Sequence, residues 1–476
     1  MLDDQTSSGD RETEMTIDAG YVGRLRAAVR GRVLTADDAD YDAARQVWNG
    51  MIDKWPLVIV QAAGVADVGP TIALARETGL PLAIRGGGHN VAGNGTVDGG
   101  ILLDLGRLTA VEVDPDARLV RVEAGATLGD IDRSTEPFAL AVPVGVVSGT
   151  GIAGLTLGGG VGWLTRPYGL TIDNLDSAEV VLATGELVRA SASENADLFW
   201  GLRGGGGNFG VVTSFTFRAY PVGPEVFAGS LIYELPRWRE ALDAYVDWAA
   251  GAPDEITTLV TFMVPPPDWE LGGLALMFLG FAWAGTDRSE GKAVIDRLRA
   301  ACPPDTAVVD PTRWPAFQSA FDTAMPKGVR AYWRNASFGR FDGPMIDTLV
   351  EHCGAQTWVG TAADLHHMGG AFGRVPEDAT AFPNRSAQFW LNIYGFWPEA
   401  GDDAARIAWV KGFSNAMQPH AMAGQYINFL GHEDADAQRK ALAVYGPAKL
   451  KRLTAVKRRY DPENVFRINH NIPPTV

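Results

Sequence analysis

The sequence has few cysteines, a deficit of basic residues and no long apolar run. Cys302 and Cys353 are its two cysteines, and they lie far apart and outside any Cys-x-x-Cys spacing. The sequence therefore supports neither a disulfide framework nor a cysteine metal site. The formal net charge of −16 opposes binding to nucleic acid or to an anionic membrane, because both require a basic surface. We therefore expect a small-molecule partner.

Signals for export or membrane insertion are also missing from the sequence. Residues 1–20 are polar and acidic and lack the basic start and apolar stretch of a secretion signal, so we predict a disordered tail there. The most apolar later segment, residues 274–284, is too short to span a bilayer and predicts a buried strand. We expect a cytoplasmic enzyme whose oligomeric state the sequence leaves open.

The order of predicted elements indicates an α+β protein with two lobes. A chain of 476 residues exceeds one ordinary compact core, and the pattern changes near Pro221, where the glycine clusters largely stop. Asp67 is expected to cap the helix that follows it. The strands are predicted at residues 57–60, 80–84, 101–103, 119–122, 178–182, 187–190, 211–217, 256–264, 274–282 and 388–396, and later helices at residues 238–248, 292–301, 404–417 and 447–460.

Glycine is abundant, at 56 residues, and is concentrated in three segments. The first is a loop between two predicted strands, with the residues Arg85, Gly86, Gly87, Gly88, His89 and Asn90. Consecutive N–H groups without Cβ atoms form a concave backbone that can hold a pyrophosphate. A flexible surface loop is the alternative for this segment taken alone, although the closely flanking apolar strands count against it.

Two further glycine segments extend the predicted binding surface. The second covers residues 142–163 and supplies Pro143, Val147, Gly149, Thr150, Gly151, Gly154, Gly158, Gly160 and Gly162; the third covers residues 201–210. Three backbone clefts in one lobe suit a dinucleotide, whose phosphates, ribose and flat ring each require close approach to the main chain. A Rossmann NAD site is rejected, because its fingerprint opens a helix directly after a strand, whereas the first loop here leads into another strand.

Further short motifs follow in a fixed order along nearly the whole chain. They include Val-Glu-Ala-Gly-Ala-Thr-Leu at 122–128, Tyr-Gly-Leu at 168–170, Asp-Leu-Phe-Trp at 197–200 and Tyr-Asp-Pro-Glu-Asn at 460–464. Together they resemble the FAD-linked oxidases of the vanillyl-alcohol oxidase superfamily and, within it, the berberine bridge enzyme-like group. The resemblance implies a two-lobed PCMH-type FAD-binding domain plus a substrate domain with an antiparallel sheet covered by helices. We place the FAD-binding domain at residues 21–220, the substrate-binding domain at 221–420 and a returning C-terminal segment at 421–476.

The resemblance also implies how FAD is held. In the family the histidine of the first loop, here His89, bonds to the 8α-methyl carbon of FAD, and a neutral imidazole has the nucleophilicity that this bond requires. Some relatives add a cysteine bond from the second segment, but Val147 occupies that position and cannot form it. We therefore predict covalent FAD attached through His89 alone, with Val211, Val212, Asn469 and Asn471 completing the binding site.

The same resemblance places the reaction between the flavin and the second lobe. Flavin chemistry needs a base that removes a proton from the oxygen or nitrogen of the substrate. We rank Tyr426, on a strand predicted at residues 425–429, first as that base and Tyr394 second. Packed aromatic residues with satisfied hydroxyls are the alternative for both. Asn392, Gln425 and Asn428 are expected to position the substrate, and Trp390 to line its pocket.

The adjacent pair His366 and His367 raises the question of a metal site. Neighbours in a strand point to opposite faces, and no carboxylate or third histidine has the spacing of a known metal site. We expect no metal, and we expect one of the two histidines at the substrate pocket.

The expected function is an FAD-dependent oxidase that uses O2 and oxidises an alcohol or amine carbon. The resemblance allows a small to medium aromatic, alkaloid-like, polyketide or sugar substrate. Thr150 lies where relatives control access of oxygen, so a flavin-dependent dehydrogenase with another acceptor stays open. A nonenzymatic flavin-binding protein and an NAD-dependent dehydrogenase are further alternatives.

Overall fold

The computed structural model describes residues 17–431 and 437–475. Residues 1–16, which make up most of the predicted acidic tail, lie outside the described residues. The first helix begins at Ala19, where the Asp18 carboxylate caps it by accepting the Gly20 N–H at 2.6 Å.

Small sheets and their helices occupy the chain from Ala19 to Pro221. The strands are β1 (Arg32–Leu34), β2 (Val58–Gln61), β3 (Leu82–Arg85), β4 (Ile101–Asp104), β5 (Val111–Asp114), β6 (Leu119–Glu123), β7 (Leu140–Ala141), β8 (Leu175–Val181), β9 (Leu187–Ser191), β10 (Val211–Arg218) and β11 (Tyr220–Pro221). The helices are α1 (Ala19–Ala28), α2 (Tyr41–Arg45), α3 (Val68–Thr78), α4 (Leu128–Thr135), α5 (Ile152–Gly158), α6 (Thr165–Tyr168) and α7 (Ala196–Leu202).

The sheet of order β1-β2-β4-β3 positions the first glycine loop. Its strands β3 and β4 are neighbours and run parallel, with Leu82 opposite Ile101. Parallel neighbours cannot be joined by a tight turn, because the chain must return to the starting edge of the sheet. Residues 86–100 make that return, so the glycine loop leaves the sheet at the carboxyl end of β3.

A second sheet, of order β5-β6-β10-β8-β9, has antiparallel neighbours throughout. Its central strand β10 buries Phe215 and Phe217 completely. These rings share one apolar core with Val60 and Leu103 of the first sheet. The two sheets therefore form one packed unit that carries the glycine segments.

A larger sheet and its helices follow from Glu225. The strands are β12 (Glu225–Glu234), β13 (Ile256–Val264), β14 (Leu276–Trp283), β15 (Thr306–Arg313), β16 (Arg330–Phe338), β17 (Gly360–His367) and β18 (Phe389–Trp397). The helices are α8 (Trp238–Ala249), α9 (Arg288–Ala301), α10 (Trp314–Gln318), α11 (Gly343–Gly354), α12 (Gly370–Arg374), α13 (Asp403–Met417) and α14 (Ala437–Tyr460). The sheet of order β15-β12-β14-β13-β17-β18-β16 is called the large sheet below.

The two faces of the large sheet have different partners. Alternate strand residues such as Phe262 and Leu391 form an apolar core with residues of α8, α9, α11 and α13. On the opposite face, Trp333 and Tyr394 pack against Trp48 of the first part of the chain. This antiparallel sheet with helices on one face confirms the predicted α+β class. Its other face presents an aromatic wall toward the glycine segments.

The prediction that Asp67 caps α3 is wrong, since its side chain makes no capping bond. Its carboxylate instead accepts the backbone N–H groups of Arg30 at 2.7 Å, Gly31 at 3.0 Å and Ala63 at 2.8 Å. Asp67 therefore joins the chain before β1 to the chain after β2.

The strand predicted at residues 425–429 is also wrong, because Ile427–Phe429 forms a short 3-10 helix. The backbone of Tyr426 forms hydrogen bonds with a side chain rather than with a neighbouring strand. The Asn335 amide accepts the Tyr426 N–H at 3.0 Å and donates to the Tyr426 carbonyl at 3.1 Å.

The last described helix, α14, begins at Ala437 rather than at the predicted Pro447. Gly446, with a φ of +67°, interrupts the helical backbone immediately before that proline. The half after the break places Leu453 in the core that contains Phe209. None of the helices in residues 17–431 and 437–475 is both long and apolar enough to cross a lipid bilayer.

Candidate functional site

A cavity of about 1680 Å³, including the solvent at its mouth, lies between the glycine segments and the aromatic wall of the large sheet. Its wall includes residues of all three glycine segments, the arrangement expected for an extended dinucleotide. The predicted residues that line it are Arg85, Gly86, Gly87, Gly88, His89, Asn90, Val147, Thr150, Gly151, Gly154, Gly158, Val211, Val212, Asn469, Asn428, Tyr394 and Tyr426. The predicted residues outside its lining are Pro143, Gly149, Gly160, Gly162, Asn471, Gln425, Trp390 and Asn392.

Other wall residues were not singled out from the sequence. Met325 and Trp333 reach the cavity from segments remote from the glycine loops. Trp333 lies there because β16 pairs with β18, which puts it opposite Tyr394. His470 also lines the cavity, and its position beside Asn469 is the one sequence signal that could have identified it.

Arg85 holds the first glycine loop to the sheet. Its guanidinium pairs with Asp104 at 2.8 Å and donates to the carbonyl of Ala44 at 2.5 Å, and both charged side chains are largely buried. Since this side chain is occupied within the protein, Arg85 positions the loop rather than offering a free charge to a ligand.

The first and second glycine segments cross in direct contact. A Cβ atom on Gly87 would lie 2.6 Å from the Cα of Gly151, a distance that real Cβ atoms do not tolerate. Gly88 adopts a φ of +69°, in the left-handed region that favours glycine. Glycine is therefore required here for both backbone approach and conformation, and the crossing brings two sets of backbone N–H groups to one cleft.

His89 follows this crossing and lies flat against Trp48. The two rings stack with centroids 4.5 Å apart and an angle of 19° between their planes. Burial lowers the pKa of His89 to about 4, because it disfavours the charged imidazolium. The ring is thus neutral at physiological pH and is held in one orientation at the cavity wall.

The second glycine segment is fixed from both sides. The Leu128 N–H at the start of α4 donates to the Thr150 carbonyl at 2.9 Å. From the other side, the Gln318 amide of α10 donates to the Gly145 carbonyl at 3.1 Å, and the Ser148 N–H donates to Asp322 at 2.9 Å. These contacts hold Val147 and Thr150 at the cavity wall.

The third glycine segment is joined to the C-terminal part of the chain. The Asn208 side chain donates to the Gly205 carbonyl at 2.8 Å and accepts the Ile472 N–H at 2.9 Å. The Asn469 amide donates to the Gly207 carbonyl at 3.1 Å. These bonds place the residues around 469 against the third segment and close that end of the cavity.

The residues present fit an FAD molecule. The cavity wall contains the close-packed glycine crossing and a neutral, oriented histidine at residue 89. It also contains two buried polar atoms that bond to no described residue, Asn469 Oδ1 and His470 Nε2, and a polar ligand would satisfy them.

Tyr394 and Asp364 form a polar pair on the large sheet. Asp364 lies opposite Asn392 in the register of β17 with β18, and Tyr394 is two residues further along on the same face. Burial raises the pKa of Asp364 to about 6, while its carboxylate accepts the Thr261 hydroxyl at 2.6 Å. Burial and then the neighbouring Asp364 charge raise the pKa of Tyr394 well above its usual range.

Tyr426 has a different environment. Its hydroxyl oxygen accepts the Gly160 N–H and the Asn428 amide N–H, each at 3.0 Å. Burial raises the pKa of Tyr426 to about 12, although these two donors act in the opposite direction. Among the described residues no acceptor takes its proton, so the hydroxyl can donate toward the cavity.

Of the residues predicted to contact the substrate, one lines the cavity and the others lie outside its lining. Asn428 lines the cavity but also donates to the Leu155 carbonyl at 3.1 Å, so it supports α5. Asn392 is fully buried, and Trp390 packs on Tyr426 with ring centroids 5.3 Å apart, outside the lining. Gln425 lies on the partly buried segment before Tyr426.

The histidine pair lies on β17 with its two side chains directed to different surroundings. His366 lines the cavity, whereas His367 contacts the buried Arg166 guanidinium at 3.0 Å. Within residues 17–431 and 437–475, no cluster of three or more histidine, cysteine, aspartate or glutamate side chains has the arrangement of a metal site.

Comparison with known proteins places this architecture in a family. Residues 56–191 match the family described as "FAD binding domain", and residues 425–473 match "Berberine and berberine like". The uncharacterised FAD-linked oxidoreductase YgaK of Bacillus subtilis is 32% identical over 94% of this chain and 98% of its own length. The chain belongs to the berberine bridge enzyme-like FAD-linked oxidoreductases. The expected superfamily, the binding of FAD and the enzyme class are thereby confirmed.

Solved structures resemble this oxidoreductase along nearly its whole length. 6-Hydroxy-D-nicotine oxidase from Arthrobacter nicotinovorans has a TM-score of 0.78 and 26% identity, covering 94% of this chain and 98% of its own. Glucooligosaccharide oxidase from Acremonium strictum has a TM-score of 0.84 at 23% identity, covering 96% of this chain and all of its own, and supports the fold alone.

Proposed function

We propose that this enzyme is an oxidase that oxidises an alcohol or amine carbon of a small molecule and uses O2 as the electron acceptor. When bound, FAD supplies two-electron oxidation of a carbon that carries a hydroxyl or amino group. The observation that carries the proposal is the pair of Tyr394 and Asp364, a proton acceptor at the wall of the FAD cavity. A protein that only stored or carried FAD would have no need for such a pair.

Tyr394 is the proposed base, and Asp364 is the group that takes the proton onward. The substrate oxygen or nitrogen gives its proton to the Tyr394 hydroxyl oxygen, while the phenolic proton moves to the Asp364 carboxylate. A base works best when its pKa lies near the operating pH, and the Asp364 pKa of about 6 meets that condition. This assignment reverses the ranking expected from the sequence, because Tyr426 has no proton acceptor beside it among the residues that the structure describes.

Tyr426 is proposed to donate a hydrogen bond to the substrate. Its oxygen already accepts two N–H groups, so its own proton is the free part of the hydroxyl. A donor in this position orients the oxygen or nitrogen of the substrate without removing its proton.

Substitution of each tyrosine by phenylalanine distinguishes the role of base from the role of hydrogen-bond donor. Tyr394→Phe should lower kcat by about 10²–10³-fold, because the base is lost. Tyr426→Phe should raise KM by about tenfold and change kcat less, because one hydrogen bond is lost. The measurement is peroxide release from a panel of aromatic alcohols, amines and sugars, with the FAD content of each variant determined.

A larger loss of kcat in Tyr426→Phe than in Tyr394→Phe would overturn the assignment. Turnover that requires an artificial dye and releases no peroxide would identify a dehydrogenase instead of an oxidase. Absence of flavin reduction by every member of the panel would count against the oxidation of alcohols and amines altogether.

We also propose that FAD is attached through His89 alone. The neutral ring held against Trp48 suits the covalent bond that the family resemblance implies. The FAD of glucooligosaccharide oxidase from Acremonium strictum is described as 6-S-cysteinyl, 8α-N1-histidyl FAD, which is bound to both a cysteine and a histidine. Here Val147 lines the cavity, and Cys302 and Cys353 are both buried in the core on the far face of the large sheet.

Acid precipitation tests this attachment. The wild-type pellet should be yellow because covalent FAD remains with the denatured chain, whereas His89→Ala should release FAD into the supernatant. His470→Ala is the matched control, since His470 is a second buried histidine at the same cavity and should leave the pellet yellow. A colourless wild-type pellet, or a yellow His89→Ala pellet, would refute the attachment.

A further inference from the structure

We propose that the substrate is an uncharged aromatic compound and that His366 selects it by binding an oxygen atom remote from the reacting carbon. This inference rests on the oxidase function proposed above and names the substrate class of the same site. It follows from the composition of the wall, from an unpartnered atom of His366 and from the spacing of His366 and Tyr394.

The substrate side of the cavity is lined by aromatic rings. Trp333 lies with its ring centroid 5.0 Å from that of Tyr394 and 6.1 Å from that of Phe429. Among the described wall residues, Arg85 carries the only charged side chain, and it is paired with Asp104. Flat rings pack well against such surfaces, whereas a sugar or an ion would leave its polar groups without partners there.

His366 is a polar group on this aromatic wall. It is buried at 6% exposure, and its ring centroid lies 6.0 Å from that of Phe429. In the part of the chain that the structure describes, no group bonds its Nε2 atom. Buried polar atoms of native proteins are nearly always hydrogen-bonded, so a ligand atom is expected to complete this one.

The neutral state of His366 defines the atom that it can bind. Burial lowers the pKa of His366 to about 4, so the ring carries no charge at neutral pH. A neutral imidazole nitrogen donates or accepts one hydrogen bond according to its tautomer, which suits a hydroxyl or carbonyl oxygen. It gives no ion pair to a carboxylate or phosphate.

The register of the large sheet sets the distance between the two polar ends of the site. His366 lies opposite Trp390 on β18, four residues before Tyr394 on the same strand face. Four residues of strand span roughly 13 Å. A molecule of two fused rings with an oxygen at the far end and the reacting group at Tyr394 fits that span.

Ligands that lack an alcohol or amine carbon test the inference without the proposed oxidation. The probes are 6-methyl-2-naphthol, which has the remote oxygen, and 2-methylnaphthalene, which lacks it; binding to the FAD-loaded enzyme is measured by quenching of tryptophan fluorescence. His366→Phe keeps an aromatic ring and removes the hydrogen bond. We expect it to raise Kd for the naphthol by about five- to tenfold and to leave Kd for methylnaphthalene within about twofold. His366→Asn should restore part of the naphthol affinity.

A kinetic split completes the test with 6-(hydroxymethyl)-2-naphthol as the oxidisable probe. His366→Phe should raise its KM and leave kcat within about twofold. Equal changes in Kd for both ligands, no change for either, or a large loss of kcat would overturn the role of His366. Failure of both naphthyl ligands to bind, or equal binding of cellobiose, would overturn the substrate class. If the naphthol ligands bind with the expected dependence on residue 366 and the alcohol is not oxidised, the proposed oxidase function fails while the binding inference stands.

Discussion

At the scale of single residues, burial sets the protonation states at the cavity. It lowers the pKa of His89, His366 and His470 to about 4 each and raises the pKa of Asp364 to about 6. At neutral pH the histidines are therefore uncharged and Asp364 is mostly ionised. Burial thus makes His89 suited to covalent attachment, His366 suited to a neutral hydrogen bond and Asp364 suited to taking a proton.

The proposed role of Asp364 as proton acceptor predicts a pH profile. Its raised pKa means that the carboxylate is present above about pH 6 and is protonated below it, so kcat of the wild type should fall as the pH drops through about 6. Asp364→Asn should lack that acid limb and should lower kcat at pH 8 by about 10²-fold. The measurement is kcat between pH 5 and 9; an unchanged acid limb in the variant would refute the assignment.

At the scale of elements, the contact between α4 and α10 supports the second glycine segment. Asp132 of α4 accepts the Trp314 indole N–H at 2.9 Å and lies 3.4 Å from the Gln318 amide, which in turn holds the Gly145 carbonyl. Burial raises the pKa of Asp132 to about 7, despite the bond from Trp314. Below about pH 7 the carboxyl between the two helices is therefore mostly protonated in the folded protein.

This contact predicts a dependence of stability on pH. The pKa of Asp132 is raised from 3.8 to about 7 in the folded state. Its favourable contribution to the free energy of unfolding is therefore complete below about pH 4 and is lost as the pH rises through about 7. Asparagine cannot ionise, so Asp132→Asn avoids that loss. Between pH 4 and pH 8 the free energy of unfolding of the variant should rise by about 2–4 kcal/mol relative to that of the wild type. The thermal midpoint of both proteins across this range measures it, and a constant difference would contradict the prediction.

The elements also show which structural features could be predicted from sequence patterns. Strands such as β13 and the glycine loop of residues 85–90 were predictable, because their signals are local: apolar runs, turns and consecutive glycines. Asp364 was missed, since its role depends on Tyr394 of a neighbouring strand and no local pattern reports that pairing. The strand expected at 425–429 was wrong because Asn335, remote in sequence, bonds the backbone there. The domain boundaries stay a prediction.

At the scale of the whole molecule, one buried lysine joins distant parts of the chain. Lys457 of α14 bonds Asp461 at 2.6 Å, and both side chains are fully buried. The same ammonium donates to the carbonyls of Asn208 at 2.8 Å and Phe466 at 3.0 Å. The third glycine segment and the residues that close the cavity therefore share one cation.

Loss of this cation should destabilise the enzyme. Lys457→Met leaves the Asp461 carboxylate buried without its partner, which typically costs about 3–5 kcal/mol, and should also weaken retention of FAD. The thermal midpoint and the FAD content measure both effects. Arg76→Ala is the matched control, since Arg76 pairs with Glu463 at 2.8 Å in an exposed position and its loss should leave both nearly unchanged. Equal effects of the two substitutions would contradict the prediction.

The bonds between the third glycine segment and the residues around 469 determine when the cavity can form during synthesis of the chain. Synthesis proceeds from the amino end, so the first glycine loop leaves the ribosome long before Asn469 and His470 do. The pocket wall cannot be complete until residue 470 has been translated. Loading of FAD therefore follows synthesis of nearly all of the chain, and the early segments must wait, without their cofactor, for the part that closes over it.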